Sequence, residues 1–322
     1  MKKLVALLIP ALLLTGCSAA ESTPLTGYAL LSQGLSANCD SFTGGDAIDQ
    51  VSVEGEFGTE PKIEFPSPLE GSGIETKVFI EGKGGALVGA QRVALHFTGF
   101  NASTGEQFQG SEFGTNDYII QDLIKDSKPD FCKALTGVNV GSRVGVLLDA
   151  KNAHDGAGVE SLGIGPEDAI LFVFDVVDAY LPKANGDAQA PEAGVPAVIL
   201  APNGQPGIQL PATDAPADFK RSILVEGKGE EIAIGDTVVV HYSGWTWEGT
   251  QFDSSWERGA PASFQVTSEG LIQGFVQALE GVKVGSQVVA VIPPDLGYGD
   301  NAQGAIPAGS TLVFVIDVLG KE

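Results

Sequence analysis

Runs of β-branched and aromatic residues bounded by Gly and Pro recur at 237–242, 287–292 and 311–319, and each predicts a β-strand. Between the first two, Ile272, Phe275, Val276 and Leu279 fall at i, i+3, i+4 and i+7, with Gly281 as a stop. That spacing predicts one short amphipathic helix. An earlier stretch repeats the pattern weakly, with Ser127 and Pro129 as start signals, Phe131 and Leu135 on the apolar face, and Gly137 as the stop. A single helix laid across a curved antiparallel sheet, an α+β architecture, is what these elements imply.

The two stretches belong to a longer self-similarity. Glu81-Gly82-Lys83-Gly84 meets Glu226-Gly227-Lys228-Gly229, and Leu95-His96-Phe97-Thr98-Gly99 meets Val240-His241-Tyr242-Ser243-Gly244 at the same offset. Pro61, Ile63, Phe65 and Pro66 likewise match Pro206, Ile208, Leu210 and Pro211. With one residue lost, Gly105 to Phe108 matches Gly249 to Phe252, and the match continues to the strand pairs beginning at Ile170 and Leu312. So many matches in register mark a tandem duplication, with its boundary in the Pro/Ala/Gly-rich stretch 181–196. The length, 322 residues, also suggests two domains at about 150 residues each.

Composition narrows the function. Eighteen basic against 41 acidic residues give a net charge of -23, which repels phosphate backbones and excludes nucleic acid as a partner. Lys2 and Lys3, the apolar run from Leu4 to Leu14 and the small residues before Cys17 have the form of a secretory signal too short to span a bilayer. Leu14-Thr15-Gly16-Cys17 resembles the bacterial lipobox, which implies lipidation at Cys17. The expectation is an exported protein, lipid-anchored to the bacterial cell membrane and touching the membrane through that anchor alone. Cys39 and Cys132 remain, and an even pair in an exported chain reads as one disulfide, with two buried thiols as the alternative. Neither cysteine has a histidine at zinc spacing, and His96, His154 and His241 are scattered, so no metal site is expected. The acids from Asp149 to Glu160 fit a calcium loop poorly, since His154 stands where the turn glycine belongs.

The second repeat then offers an ordered series: Val240 to Gly244, Phe252-Asp253-Ser254-Ser255, Val284-Gly285, Ile292 to Gly299, Ile306-Pro307 and Leu312-Val313-Phe314. In this order the motifs resemble the FKBP-type peptidyl-prolyl cis-trans isomerases, over about residues 219–322. The resemblance implies two FKBP-like domains, each a curved antiparallel β-sheet wrapped over one short helix. The expected division is a signal peptide at 1–16, an N-terminal extension at 17–50, a degenerate FKBP-like domain at 51–181, a linker at 182–195 and the isomerase domain at 196–322. It further implies that Tyr242, Asp253 and Tyr298 are catalytic. Phe252, Phe275 and Phe314 would wall the pocket, Leu271, Ile272 and Ile306 would line its rim and flap, and Arg258 would pair with Asp253. Ala262 stands where the family usually has an aromatic, which would widen one wall, and the loop at 300–305 is about a residue short.

The chemistry suits these residue types. An X-Pro bond turns slowly because twisting the amide breaks its resonance, across a barrier of roughly 18–20 kcal/mol. The twisted state is less polar than the planar one, so an apolar hollow with a few orienting donors favours it, and no cofactor is needed. The substrates implied are proline-containing unfolded or exported polypeptides, with a macrolide as a further candidate ligand. The competing reading is an FKBP-like binding or chaperone module with little turnover; a solute-binding lipoprotein would instead show two α/β lobes. In the first repeat Phe97 replaces Tyr242, Gln109 replaces Asp253, and Ser127-Lys128 stand in place of Leu271-Ile272. That repeat reads as folded and inactive.

Overall fold

The computed structural model describes residues 39–41 and 44–322; the segment expected to carry the signal and Cys17 lies outside them. A hairpin of β1 (Ser52–Glu54) and β2 (Lys62–Glu64) precedes a first antiparallel sheet. That sheet contains β3 (Ile74–Ile80), β4 (Arg92–Asn101), β5 (Gln107–Gly110), β6 (Ile119–Asp122), β7 (Arg143–Leu148) and β8 (Ile170–Ala179). Its order is β3-β7-β8-β4-β5, with β6 also paired to β4. The short strand β9 (Asp187–Ala188) and a second hairpin, β10 (Ala197–Leu200) with β11 (Pro206–Gln209), come next. The second sheet holds β12 (Lys220–Glu226), β13 (Thr237–Thr246), β14 (Gln251–Ser254), β15 (Ala262–Gln265), β16 (Gln287–Ile292) and β17 (Leu312–Lys321). Its order, β14-β13-β17-β16-β12-β9 with β15 also on β13, reproduces that of the first sheet strand for strand, apart from the added β9. The long central pairs also agree in register: His96 faces Asp175 across β4 and β8, and His241 faces Asp317 across β13 and β17.

Both faces of each sheet are covered, so the central strands are apolar almost throughout instead of alternating. On the inner face of the second sheet, Val238, Val240 and Tyr242 pack with Phe275 and Leu279. On its outer face, Trp245, Val289, Val313 and Val315 pack under Ile208 of the β10–β11 hairpin. The first sheet repeats this, its outer Leu147 and Leu171 packing with Ile48, Ile63 and Phe65. The prolines and apolar residues repeated at 61–66 and 206–211 therefore belong to the covers of the two sheets.

The expectation of one helix per sheet needs correction. Each sheet carries two short helices: α1 (Phe131–Leu135) and α2 (Ala150–His154) on the first, α3 (Ser255–Arg258) and α4 (Gln273–Leu279) on the second. Helix α2 is set by its caps: Asp149 accepts from the Asn152 N–H, and Asp155 ends the helix in the left-handed region. Helix α3 is a single turn closed by Gly259 at φ +71°. Four or five residues are too few for an apolar period to show in sequence. The cap of α1 is Asp130, whose side chain accepts from the Lys133 N–H, and not Ser127.

Buried polar side chains on corresponding strands hold the preceding chain segments. Arg143 and Asp175 form a fully buried pair at 2.6 Å, from which Arg143 donates to the Gly55 and Thr59 carbonyls while Asp175 accepts from the Gly58 N–H. At the matching places, Gln287 donates to Asp317 at 2.7 Å and the Ala184 N–H donates to the same carboxylate at 2.9 Å. Residue 184 lies in the stretch expected to be a linker, which also contributes β9. A disulfide joins Cys39 to the buried Cys132 of α1, with Cα atoms 5.8 Å apart. The two sheets also touch: the His241 ring nitrogen Nε2 lies 3.0 Å from the Ala90 carbonyl, and Arg92 pairs with both Asp122 and Glu322. Among the described residues no helix is long and apolar enough to cross a membrane.

Candidate active site

The inner face of the second sheet carries a cluster of aromatic rings. Tyr242 comes from β13, Phe252 from β14, Phe275 from α4 and Phe314 from β17. The rings meet mostly edge to face, which suits their quadrupoles: Phe275 to Phe314 at 5.1 Å, Phe252 to Phe314 at 5.5 Å, Tyr242 to Phe275 at 6.1 Å. Gly244 makes this approach possible, since a Cβ there would fall 2.6 Å from the Phe252 ring and 2.9 Å from that of Phe314. Phe275, Phe314, Tyr242 and Ile306 are buried, while Phe252, Leu271, Ile272 and Tyr298 are half-buried around them.

At one edge of these rings stands a polar cluster. The Tyr242 hydroxyl donates to Asp253 and accepts from Arg258 Nη2 at 3.1 Å, and Arg258 also pairs with Asp253. The Arg258 guanidinium lies 5.5 Å from the centre of the Tyr242 ring, within cation–π range. Burial and then the Asp253 carboxylate push the Tyr242 phenol up to about 12, so it keeps its proton at neutral pH and serves as a donor. The strand position of Tyr242 is fixed from behind: its N–H donates to Ser255 Oγ at 2.8 Å, and His241 Nδ1 meets the same hydroxyl at 2.9 Å. Burial pushes His241 down to about 4, so the ring is neutral there.

Ile272 is the N-cap residue of α4, and its N–H has no acceptor among the described residues, which leaves a donor at the rim. Tyr298 and Ile306 lie in the loop between β16 and β17 and pack on the same core. Every second-repeat site residue named from the sequence thus gathers around one aromatic cluster. The wall at Ala262 is not left open. Phe264, two residues on and hence on the same face of β15, lies 5.7 Å from Tyr242 and 5.6 Å from Phe275. That aromatic escaped the sequence reading, although its period-two relation to Ala262 was the available signal. Among the described residues no cluster of three or more His, Cys, Asp or Glu could hold a metal ion.

The sequence profile of the FKBP-type peptidyl-prolyl cis-trans isomerases matches residues 228–319, which include all of these side chains. A probable FK506-binding protein of Corynebacterium glutamicum is 41% identical over 116 residues, covering 36% of this chain and 97% of that protein. The chain belongs to the FKBP-type peptidyl-prolyl cis-trans isomerase family. Another relative, an FK506-binding protein of Streptomyces anulatus, is 39% identical over 118 residues, or 36% of this chain and 95% of that one. The isomerase FkpA of Escherichia coli is 42% identical over 97 residues, 30% of this chain and 35% of FkpA. As a member of this family the chain is a peptidyl-prolyl cis-trans isomerase.

Proposed function

We propose that the aromatic cluster on the second sheet forms the hollow of the isomerase site, and that the chain acts on exported, unfolded polypeptides while anchored at the membrane surface through a lipid on Cys17. The observation that carries this is the Tyr242–Asp253–Arg258 cluster at the edge of aromatic rings lying inside the family match. In this reading the pyrrolidine ring enters between Phe252, Phe275, Phe264 and Phe314. The apolar aromatic walls favour the less polar twisted amide over the planar one. Ile272 donates its free N–H to a substrate carbonyl, Leu271 and Ile306 close the rim, and Tyr298 reaches over the bound chain. Asp253 and Arg258 hold the Tyr242 phenol in place, and Asp253 and Tyr298 orient the substrate without exchanging protons. A macrolide could fill the same hollow, in keeping with relatives named as FK506-binding proteins.

The chain in this reading has two FKBP-like domains, 51–181 and 196–322, joined by 182–195, with the first inactive. A protease-coupled prolyl assay on the full chain tests the division. Phe314→Ala is expected to abolish most turnover and Phe172→Ala, its counterpart on the first sheet, to spare it; equal losses would refute the assignment. Detergent partitioning of the native protein and of Cys17→Ala tests anchoring, and a native protein that stays in the aqueous phase would overturn it.

A further inference from the structure

The first sheet retains a hollow where the second has its site, and its chemistry differs. A cavity of about 370 Å³ opens there, within the span of roughly 300–1,000 Å³ usual for ligand sites. Its base is five phenylalanines, Phe97, Phe108, Phe131, Phe172 and Phe174, with Phe131 5.2 Å from both Phe172 and Phe174. Above them stand Val159, Leu162 and Ile164, from a loop closed on itself by the Val159–Ile164 bridge. This loop replaces the one that carries Tyr298 and Ile306 on the second sheet. Three polar side chains line the cavity. The ring of His154 is fully used, accepting from the Gly158 N–H at 3.0 Å and donating to the Asp168 carbonyl at 2.9 Å. The other two, Gln109 and Lys128, are exposed at the mouth and form no hydrogen bond or ion pair among the described residues.

No carboxylate lines this cavity, whereas Asp253 flanks the other. Asp126 and Asp149 lie near enough for the charge of Lys128 to favour their ionised forms, and each also has bonded partners of its own. Asp126 pairs with Lys133 at 2.9 Å, and Asp149 accepts from Asn152 and from the Gly73 N–H. In a chain of net charge -23, the mouth of an aromatic hollow therefore presents a cation and an amide whose hydrogen-bonding capacity is unspent. Without the Tyr–Asp–Arg cluster nothing here selects a prolyl ring. An apolar group fits below and an acceptor or anion at the rim.

From this we infer that the hollow of the first sheet is a second peptide-binding site, taking a segment in which a bulky apolar side chain lies beside a carboxylate, with no need for proline. The inference rests on the reading of the chain as an enzyme of unfolded polypeptides. The contacts of Ala90 with His241 and of Arg92 with Glu322 keep the two hollows on one body, so a polypeptide held at the first stays near the second.

Titration calorimetry on the full chain tests it with two proline-free octapeptides, each with a central Leu-Phe pair, one flanked by glutamates and the other by lysines. The glutamate peptide is expected to bind and the lysine peptide to bind at least about tenfold more weakly. Lys128→Glu should weaken the glutamate peptide by at least about tenfold, and Ala153→Leu, which fills the cavity, should weaken both. Turnover of a short prolyl tetrapeptide by Lys128→Glu should stay within about twofold of wild type, a separate readout on which the isomerase reading stands or falls alone. Absence of binding, indifference to the flanking charge, or binding that survives Lys128→Glu and is lost in Phe314→Ala would overturn the proposal. Because Lys128 is exposed, that variant keeps the test decisive if Ala153→Leu fails to fold.

Discussion

Asp317 gives the sharpest test of the interior. It is buried on β17, where Gln287 and the Ala184 N–H donate to its two oxygens. Burial outweighs both bonds and pushes the carboxyl from 3.8 up to about 6. The folded chain therefore holds this proton more tightly than the unfolded one. Ionisation at neutral pH costs stability, and the cost is relieved as pH falls from above 6 to below 3.8. The gap is worth about 3 kcal/mol. His241 works in the opposite sense: its pKa is pushed from 6.5 down to about 4, so it contributes about 3 kcal/mol that is present above 6.5 and lost as pH falls through 4. In the wild type the two nearly offset each other between pH 7 and pH 4. Asp317→Asn keeps both contacts, its oxygen accepting from Ala184 and its amide donating to a turned Gln287, and carries no charge. The variant should be more stable than wild type by up to about 3 kcal/mol at pH 7, and the advantage should vanish by pH 4. Urea unfolding followed by tryptophan fluorescence reads this unit selectively, because all three tryptophans, Trp245 on β13, Trp247 just beyond it and Trp256 on α3, belong to the second repeat. Other carboxylates titrate alike in both proteins, so the difference isolates Asp317. A difference independent of pH would refute the reasoning.

If the walls rather than proton transfer carry catalysis, Phe314→Ala should cost at least about tenfold in kcat/KM and Tyr298→Phe less than about threefold, with rates nearly flat from about pH 6 to 8; a bell-shaped profile or an inactive, folded Tyr298→Phe would contradict this. Gly244→Ala should destabilise the second sheet by about 1–3 kcal/mol and lower turnover, since the Phe252 and Phe314 rings must both move; unchanged urea midpoints would count against it. Replacing Cys39 and Cys132 by alanine reopens a loop whose ends are 93 residues apart, and should lower stability by about 3–5 kcal/mol in far-UV dichroism; free thiols in the unreduced protein would remove the basis for this.

The strands and the hollow were legible because they rest on local signals. Strand-length apolar runs, a helical period and an ordered series of motifs survive without knowledge of the partner elements. What escaped depends on tertiary neighbours. Arg143 and Asp175 are charged residues beside long apolar runs, and only the approach of residues 55–59 explains their burial. Phe264 takes its place beside Tyr242 only through the pairing of β15 with β13, which the sequence does not display. The contact of His241 with Ala90 joins two repeats, and no pattern within either one announces it.

Strand β9 is only two residues long, yet it lies along the outer edge of β12, and at the equivalent edge of the first sheet Gly44 bridges to Thr76 on β3. Each sheet thus has an otherwise open row of backbone donors and acceptors shielded by a scrap of the chain that precedes it. An open edge of this kind is a template for another strand. A fragment begun at residue 196 would keep the whole hollow and lose that shield, so it should self-associate edge to edge at concentrations where the longer chain stays dispersed, and a fragment begun before Asp187 should not.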